Sequence, residues 1–214
     1  MKKYLMPAVL AVCFLIFTIL VKCVDVQAVG PGATLVGFAS LNVAVHNLFS
    51  GNAFCYTFTQ ILGLAAIGLA AIFAIIGIAQ LIKRNTLMKV DRTILMLGVV
   101  YIAVILLYIL FEKLAINFRP ILGKDGLEAS YPSTHTMLIL TVFGTAHYAL
   151  CNFIKNKSAA IAIRLICYAI MAAAAVCRLV SGVHWFTDII GSILVSSALI
   201  SFYHSAAIKK SNRR

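Results

Sequence analysis

The stretch from Cys177 to Asp188 sets a cation (Arg178), an imidazole (His184) and a carboxylate (Asp188) between two long apolar runs. Charge at the edge of an apolar run is costly and usually has a job. A helix starting near His184 puts Asp188 one turn on, on the same face. A carboxylate so placed can orient and activate an imidazole. Arg178 stands on the other side of a short Ser181-Gly182 turn. The plain alternative is that Arg178 anchors a helix at a membrane interface and that His184 and Asp188 only open the next helix.

A second stretch adds to the same surface. Glu112, Lys113, Arg119 and Pro120 are followed by Tyr131, Pro132, Ser133, Thr134 and His135. Lys113, Arg119 and Arg178 around two imidazoles, His135 and His184, form an oxyanion site: arginine offers a planar fork matched to phosphate oxygens and lysine a point charge. Ser133 and Thr134 fall at an expected helix start, where free N–H groups and the helix dipole also favour an anion. A helix cap is the commoner meaning of such a triplet. What favours the chemical reading is that three modest signals, separated in sequence, meet on one face.

The elements that must hold these residues are membrane helices. The chain has 214 residues, 63% hydrophobic and 11% charged, the composition of a polytopic membrane protein. An all-α fold follows, a single integral membrane domain over 1–214. Six spans are expected at about 5–22, 54–82, 93–111, 136–153, 159–177 and 187–208, with an external, partly interfacial helix in 33–50. The active-site loops are then 112–135 and 178–187. The first run, after Met1-Lys2-Lys3, is read as an uncleaved helix; a signal sequence cleaved near Ala28 is the alternative. The net charge of +12 would suggest nucleic acid in a soluble protein. Here Lys83, Arg84, Lys89, Arg92, Lys155, Lys157, Arg164, Lys209, Lys210, Arg213 and Arg214 all fall on the side of Lys2 and Lys3. They set topology: both termini inside, the two site loops outside. No nucleic-acid partner is expected. Gly63, Gly68 and Gly77 with nearby alanines suit close helix contacts. The six cysteines show no metal-ligand spacing, so no metal is expected; Cys23 and Cys55 share the outer boundary, where they could pair. His46 reads as a solvated or capping histidine, His147 and His204 as packing or interfacial residues.

Arg119-Pro120, Pro132-Ser133-Thr134-His135 and Arg178-x5-His184-x3-Asp188 resemble the three signature motifs of the type-2 phosphatidic acid phosphatase superfamily, in order and spacing, from about residue 54 onward. This is the membrane lipid-phosphatase branch, related to the vanadium haloperoxidases and bacterial acid phosphatases. Three positions depart from its pattern. The first motif is Lys-x6-Arg-Pro, whereas Lys113 stands one residue nearer Arg119 and Glu112 holds the matching place. Thr134 replaces a glycine and Cys177 a serine. One residue on a helix turns a side chain by about 100°, which leaves Lys113 its long stem to reach a phosphate, with Lys124 as the alternative.

The resemblance implies a metal-independent phosphatase without a cofactor. In it His184 is the nucleophile, forming a phosphohistidine, Asp188 holds its tautomer, and His135 is the acid and then the base. Arg119, Arg178, Lys113, Ser133 and Thr134 bind the phosphate. A site at the outer leaflet boundary suits a lipid phosphate reached sideways from the bilayer: undecaprenyl pyrophosphate, phosphatidylglycerol phosphate, phosphatidic acid, diacylglycerol pyrophosphate or a phosphorylated glycolipid. Rival readings are a lipid phosphotransferase using the same site and a non-catalytic lipid-phosphate binder or transporter. The short basic start and compact loops suit a bacterial inner or plasma membrane.

Overall fold

The computed structural model describes residues 2–49, 51–123, 126–151, 154 and 156–207; Lys124, Lys155 and the basic tail from Lys209 to Arg214 lie outside them. Seven α-helices are described: α1 (Leu5–Cys23), α2 (Ala39–Leu48), α3 (Ala53–Arg84), α4 (Arg92–Leu114), α5 (Thr134–Cys151), α6 (Lys157–Val180) and α7 (Phe186–Ala207). Between α1 and α2, β1 (Gln27–Ala28) pairs antiparallel with β2 (Leu35–Val36). Polar termini stop the helices where expected. Asn52 caps α3 by accepting from the Cys55 N–H, and Asn156 caps α6 through the Ser158 and Ala159 N–H groups. Asn85 ends α3 in the left-handed conformation.

Helices α1, α3, α4, α6 and α7 are long and apolar enough to cross a membrane. The protein is therefore a multi-pass membrane protein. At 32 residues, α3 is about 48 Å long and outruns a hydrocarbon core of about 30 Å. The span expected at 136–153 corresponds to α5, which differs from the rest. It carries His135, His147 and four threonines and packs against α3, α4, α6 and α7. Enclosed by other helices, it has no need of an apolar surface all round. The outer helices turn Leu15, Ile16 and Ile19 on α1 and Leu64, Ile75 and Ile78 on α3 outward, as lipid contact requires.

Two ends of the bundle can be told apart. At one, Arg92 Nε donates to the Ala206 carbonyl at 2.7 Å, Ser205 Oγ donates to the Lys3 carbonyl at 2.8 Å, and Arg84 pairs with Asp91 at 2.8 Å. These contacts gather the starts of α1 and α4 with the ends of α3 and α7, and with them the basic residues. The other end carries the segments 24–52, 115–133 and 181–185. There Tyr131 is buried against Phe14, Phe17 and Phe111, with its hydroxyl 2.8 Å from Thr18 Oγ1. Gly191 on α7 makes this possible, since a Cβ there would come within 2.6 Å of the Tyr131 ring.

The external helix is shorter than expected and is tied down by one side chain. Asn42, fully buried, donates to the Gly37 carbonyl at 2.8 Å and to Thr187 Oγ1 at 3.0 Å, and accepts from the Thr187 N–H at 3.1 Å. The last contact satisfies an orphan N–H in the first turn of α7, one residue before Asp188. Asn42→Ala strands these buried groups and should cost about 3 kcal/mol, read as a drop in thermal midpoint. An unchanged midpoint would mean that α2 does not brace α7.

Cys23 and Cys55 are both free thiols. Cys55, in the first turn of α3, instead lies beside Cys177 on α6. The pairing considered from sequence is therefore not formed, because α3 meets α6 and not the end of α1 at this level.

Candidate active site

His184 sits in the turn between α6 and α7, 2% exposed, one turn before Asp188. Its Nδ1 lies 3.2 Å from Asp188 Oδ2, and the same oxygen accepts the Trp185 N–H at 2.9 Å. Nδ1 therefore carries the proton and Nε2 keeps its lone pair. That Nε2 is buried and meets no partner. Asn117 and Ser130 approach the Asp188 carboxylate from the α4–α5 loop. Burial, and then the guanidiniums of Arg178 and Arg119, hold the His184 imidazole well below its ordinary pKa. It is a neutral, oriented base surrounded by positive charge.

Arg178 ends α6 almost wholly buried, at 1% exposed. One nitrogen donates to Thr59 Oγ1 on α3 at 3.3 Å and another lies 3.4 Å from His135 Nδ1. Its guanidinium also stands 5.6 Å from the centre of the Tyr56 ring. Since Arg178 can only donate, His135 accepts at Nδ1 and holds its proton on Nε2. The ring edge bearing that Nε2 faces Gly63, where a Cβ would lie 3.3 Å from His135 Cδ2. A larger residue at 63 would press on the imidazole.

The α4–α5 loop is a narrow clamp. Arg119 N–H donates to the Glu128 carbonyl at 3.0 Å and Ser130 N–H to the Asn117 carbonyl at 2.9 Å. The Trp185 indole N–H donates to the Phe118 carbonyl at 2.7 Å, which fastens the clamp to the His184 turn. Arg119 pairs with Glu128 at 2.9 Å and leaves its Nε without a partner.

Arg119, Glu128, His135 and Gln60 line two cavities. One, about 900 Å³, lies between α3 and α4; it includes His184 and Thr134 and is walled by apolar residues including Leu64, Ile67, Val104 and Ile105. The other, about 860 Å³, opens past His46, Asn52 and Arg178. The structure thus brings His135, His184, Asp188, Arg119, Arg178 and Thr134 together. Ser133 is fully buried on neither wall. Its hydroxyl lies 3.0 Å from Thr136 Oγ1 and takes the Thr136 N–H at 3.5 Å, so it caps α5. Lys113 is exposed in the last turn of α4 and lines neither cavity, whereas Glu112 lines the inner one.

Several residues of the site carry no sequence signal of their own. Glu128, Asn117, Ser130 and Asn42 are polar loop or helix residues whose partners are set by tertiary structure. His46 is half-exposed in the last turn of α2, where its carbonyl accepts the Phe49 N–H at 3.1 Å, and its ring also packs 5.5 Å from that of Trp185 and lines the outer cavity.

The family profile of the PAP2 superfamily matches residues 8–211. Among solved structures, the chain is similar to the crystal structure of the first transmembrane PAP2 type phosphatidylglycerolphosphate phosphatase from Bacillus subtilis. The TM-score is 0.70, over 98% of this chain and 99% of that one, at 19% identity. No curated protein sequence matches the chain. At that identity the shared feature is the fold, a membrane phosphatase fold.

Proposed function

Since the chain belongs to the PAP2 superfamily, we propose that it removes phosphate from a lipid phosphate or pyrophosphate through a phosphohistidine on His184. The observation that carries this reading is the unpartnered, buried Nε2 of His184. The ring is held by Asp188 and lines a cavity that also holds Arg119 and His135 at its polar end and Leu64, Ile67, Val104 and Ile105 at its apolar end.

The lipid chain lies against Leu64, Ile67, Val104 and Ile105, and its phosphate reaches the two arginines from the side. Arg119 leaves Glu128 for the phosphate, and the Arg178 N–H that rests on His135 turns to it as well. His135, released at Nδ1 and now beside an anion, takes up a proton. The Nε2 lone pair of His184 attacks phosphorus as the bond to the leaving oxygen breaks, and His135 gives that oxygen its proton. Asp188 stabilises the imidazolium so formed. Water then attacks the phosphohistidine, losing a proton to His135; the P–N bond breaks and inorganic phosphate leaves. The guanidiniums and the Thr134 N–H, at the start of α5, stabilise the charge that develops on the equatorial oxygens. The protein's own cations do this work, so no metal is required. Lys113, placed off the cavity wall, has no contact in this scheme.

By the positive-inside rule the basic end faces the cytoplasm. The site then opens on the extracytoplasmic side of what we take to be a bacterial inner or plasma membrane. Undecaprenyl pyrophosphate, phosphatidylglycerol phosphate and phosphatidic acid all fit the division into apolar groove and polar outer cavity. The size and polarity of the outer cavity also allow a second lipid or sugar as acceptor, which would make the protein a phosphotransferase.

Detergent-purified protein with excess EDTA should release inorganic phosphate from one or more of these lipids. Phosphate that appears only on an added acceptor would favour the transferase. Release abolished by EDTA would overturn the metal-free reading.

A further inference from the structure

At the opposite end of α5, two buried polar side chains have nothing to bind. His147 and Tyr203 are each 1% exposed, and neither His147 Nε2 nor the Tyr203 hydroxyl has a partner. Both line a cavity of about 270 Å³, together with Tyr148, Arg164 and His204. Leaving two such groups unsatisfied is expensive. The cavity exceeds the roughly 30 Å³ share of one water several-fold. His147 lies twelve residues along α5 from His135, about 18 Å by helix rise, so this cavity is separate from the active site.

The chemistry of the walls selects the ligand. Among the described residues that line the cavity, Arg164 is the formally charged one and none carries a carboxylate. A cation would therefore find no counter-charge. No group of three or more His, Cys, Asp or Glu able to hold a metal occurs among the described residues. An apolar ligand would leave the two buried groups unsatisfied. His147 Nδ1 lies 3.4 Å from the Phe143 carbonyl and donates to it, so Nε2 takes a proton from a ligand that carries one or shares one. Tyr203 donates, and Arg164 offers a fork for two oxygens. The Tyr148 ring lies 4.7 Å from that of His204, tilted by 54°. An anion with several oxygens that also bears an O–H, on phosphorus as in inorganic phosphate or on a headgroup hydroxyl as in phosphatidylglycerol, satisfies all of these groups. The cavity lies at the level where α5 and α7 end, where Arg92 meets the Ala206 carbonyl.

We infer that this end of the bundle binds a phosphate-class anion, either free phosphate or the headgroup of an anionic lipid in the leaflet opposite the active site. The inference does not depend on the proposed catalytic activity. It is tested on full-length detergent-purified protein by equilibrium dialysis with inorganic phosphate and by native mass spectrometry with dihexanoyl phosphatidylglycerol. Arg164→Gln changes an exposed side chain and Tyr203→Phe removes a single oxygen, so both variants keep the fold. One anion equivalent should be lost in Arg164→Gln, be held at least tenfold more weakly in Tyr203→Phe, and persist in Arg178→Gln at the other end. That pattern with phosphate alone identifies a free-anion site; that pattern only with the phospholipid identifies a headgroup site. If neither probe binds in a way that these two substitutions weaken, the cavity holds water only and the inference is wrong.

Discussion

His184→Ala is expected to lower phosphate release by about 10⁴-fold or more, the scale seen when a nucleophile is removed from a catalytic unit. The magnitude follows from the site's construction. In the proposed mechanism Arg119, Arg178, the start of α5 and His135 all act on one phosphate, and the Nε2 of His184 is the nucleophile that attacks it. Without it, water must attack with no covalent step. A loss of structure is a competing explanation, because His184 is 2% exposed and fills space against Asp188. His184→Gln separates the two. Its amide falls near the place of Nε2 and its volume is close to that of the imidazole, while Asp188 keeps the Trp185 N–H as a donor, but it has no nucleophilic nitrogen. The glutamine variant should therefore hold its thermal midpoint within a few degrees and be as inactive as the alanine variant. Activity retained in either would remove His184 from the chemistry.

Arg178→Gln carries the second-largest expected effect, about 10³-fold in kcat/KM, the upper range for loss of a preorganised oxyanion donor. Arg178 is buried at the end of α6 and bridges Thr59 on α3 to His135 on α5. It thereby sets both the positive field and the position of the acid. Arg178→Lys keeps the charge but has one point donor in place of a fork. It cannot hold Thr59 and span two phosphate oxygens together, so it should recover no more than about tenfold of the loss. Near-normal activity in the lysine variant would show that charge alone matters there and that the contact to His135 is idle. Steady-state phosphate release across substrate concentration reads both outcomes.

What could be seen in the sequence divides along a physical line. His184 and Asp188 were visible because a helix converts a four-residue interval into a shared face, and Arg178 because a cation closing an apolar run is rare. The membrane class was visible in the apolar runs. The shape of α5 was less so: a helix surrounded by helices answers to its neighbours, not to lipid, and can carry His135, His147 and its threonines. Glu128 opposite Arg119 was not legible, since their pairing depends on how the loop folds back between Phe118 and Ala129. Asn42 was hidden for the same reason, at a separation of 145 positions from Thr187. Ser133 shows that two readings of one triplet can be divided between neighbours: Ser133 caps the helix and Thr134 faces the cavity. Lys113 and Glu112 show how a shift of one residue on a helix exchanges a cation for a carboxylate on the cavity wall.

The most direct test of the account is to trap the phosphoenzyme. Protein mixed with a lipid substrate labelled with ³²P in the transferred phosphate, and quenched with base within milliseconds, should carry label that is stable to alkali and lost in acid, as a phosphohistidine is. The label should be absent in His184→Ala, and in wild type it should decay as inorganic phosphate appears. Full turnover with no labelled protein at any time, or equal labelling of His184→Ala, would contradict a covalent step at His184.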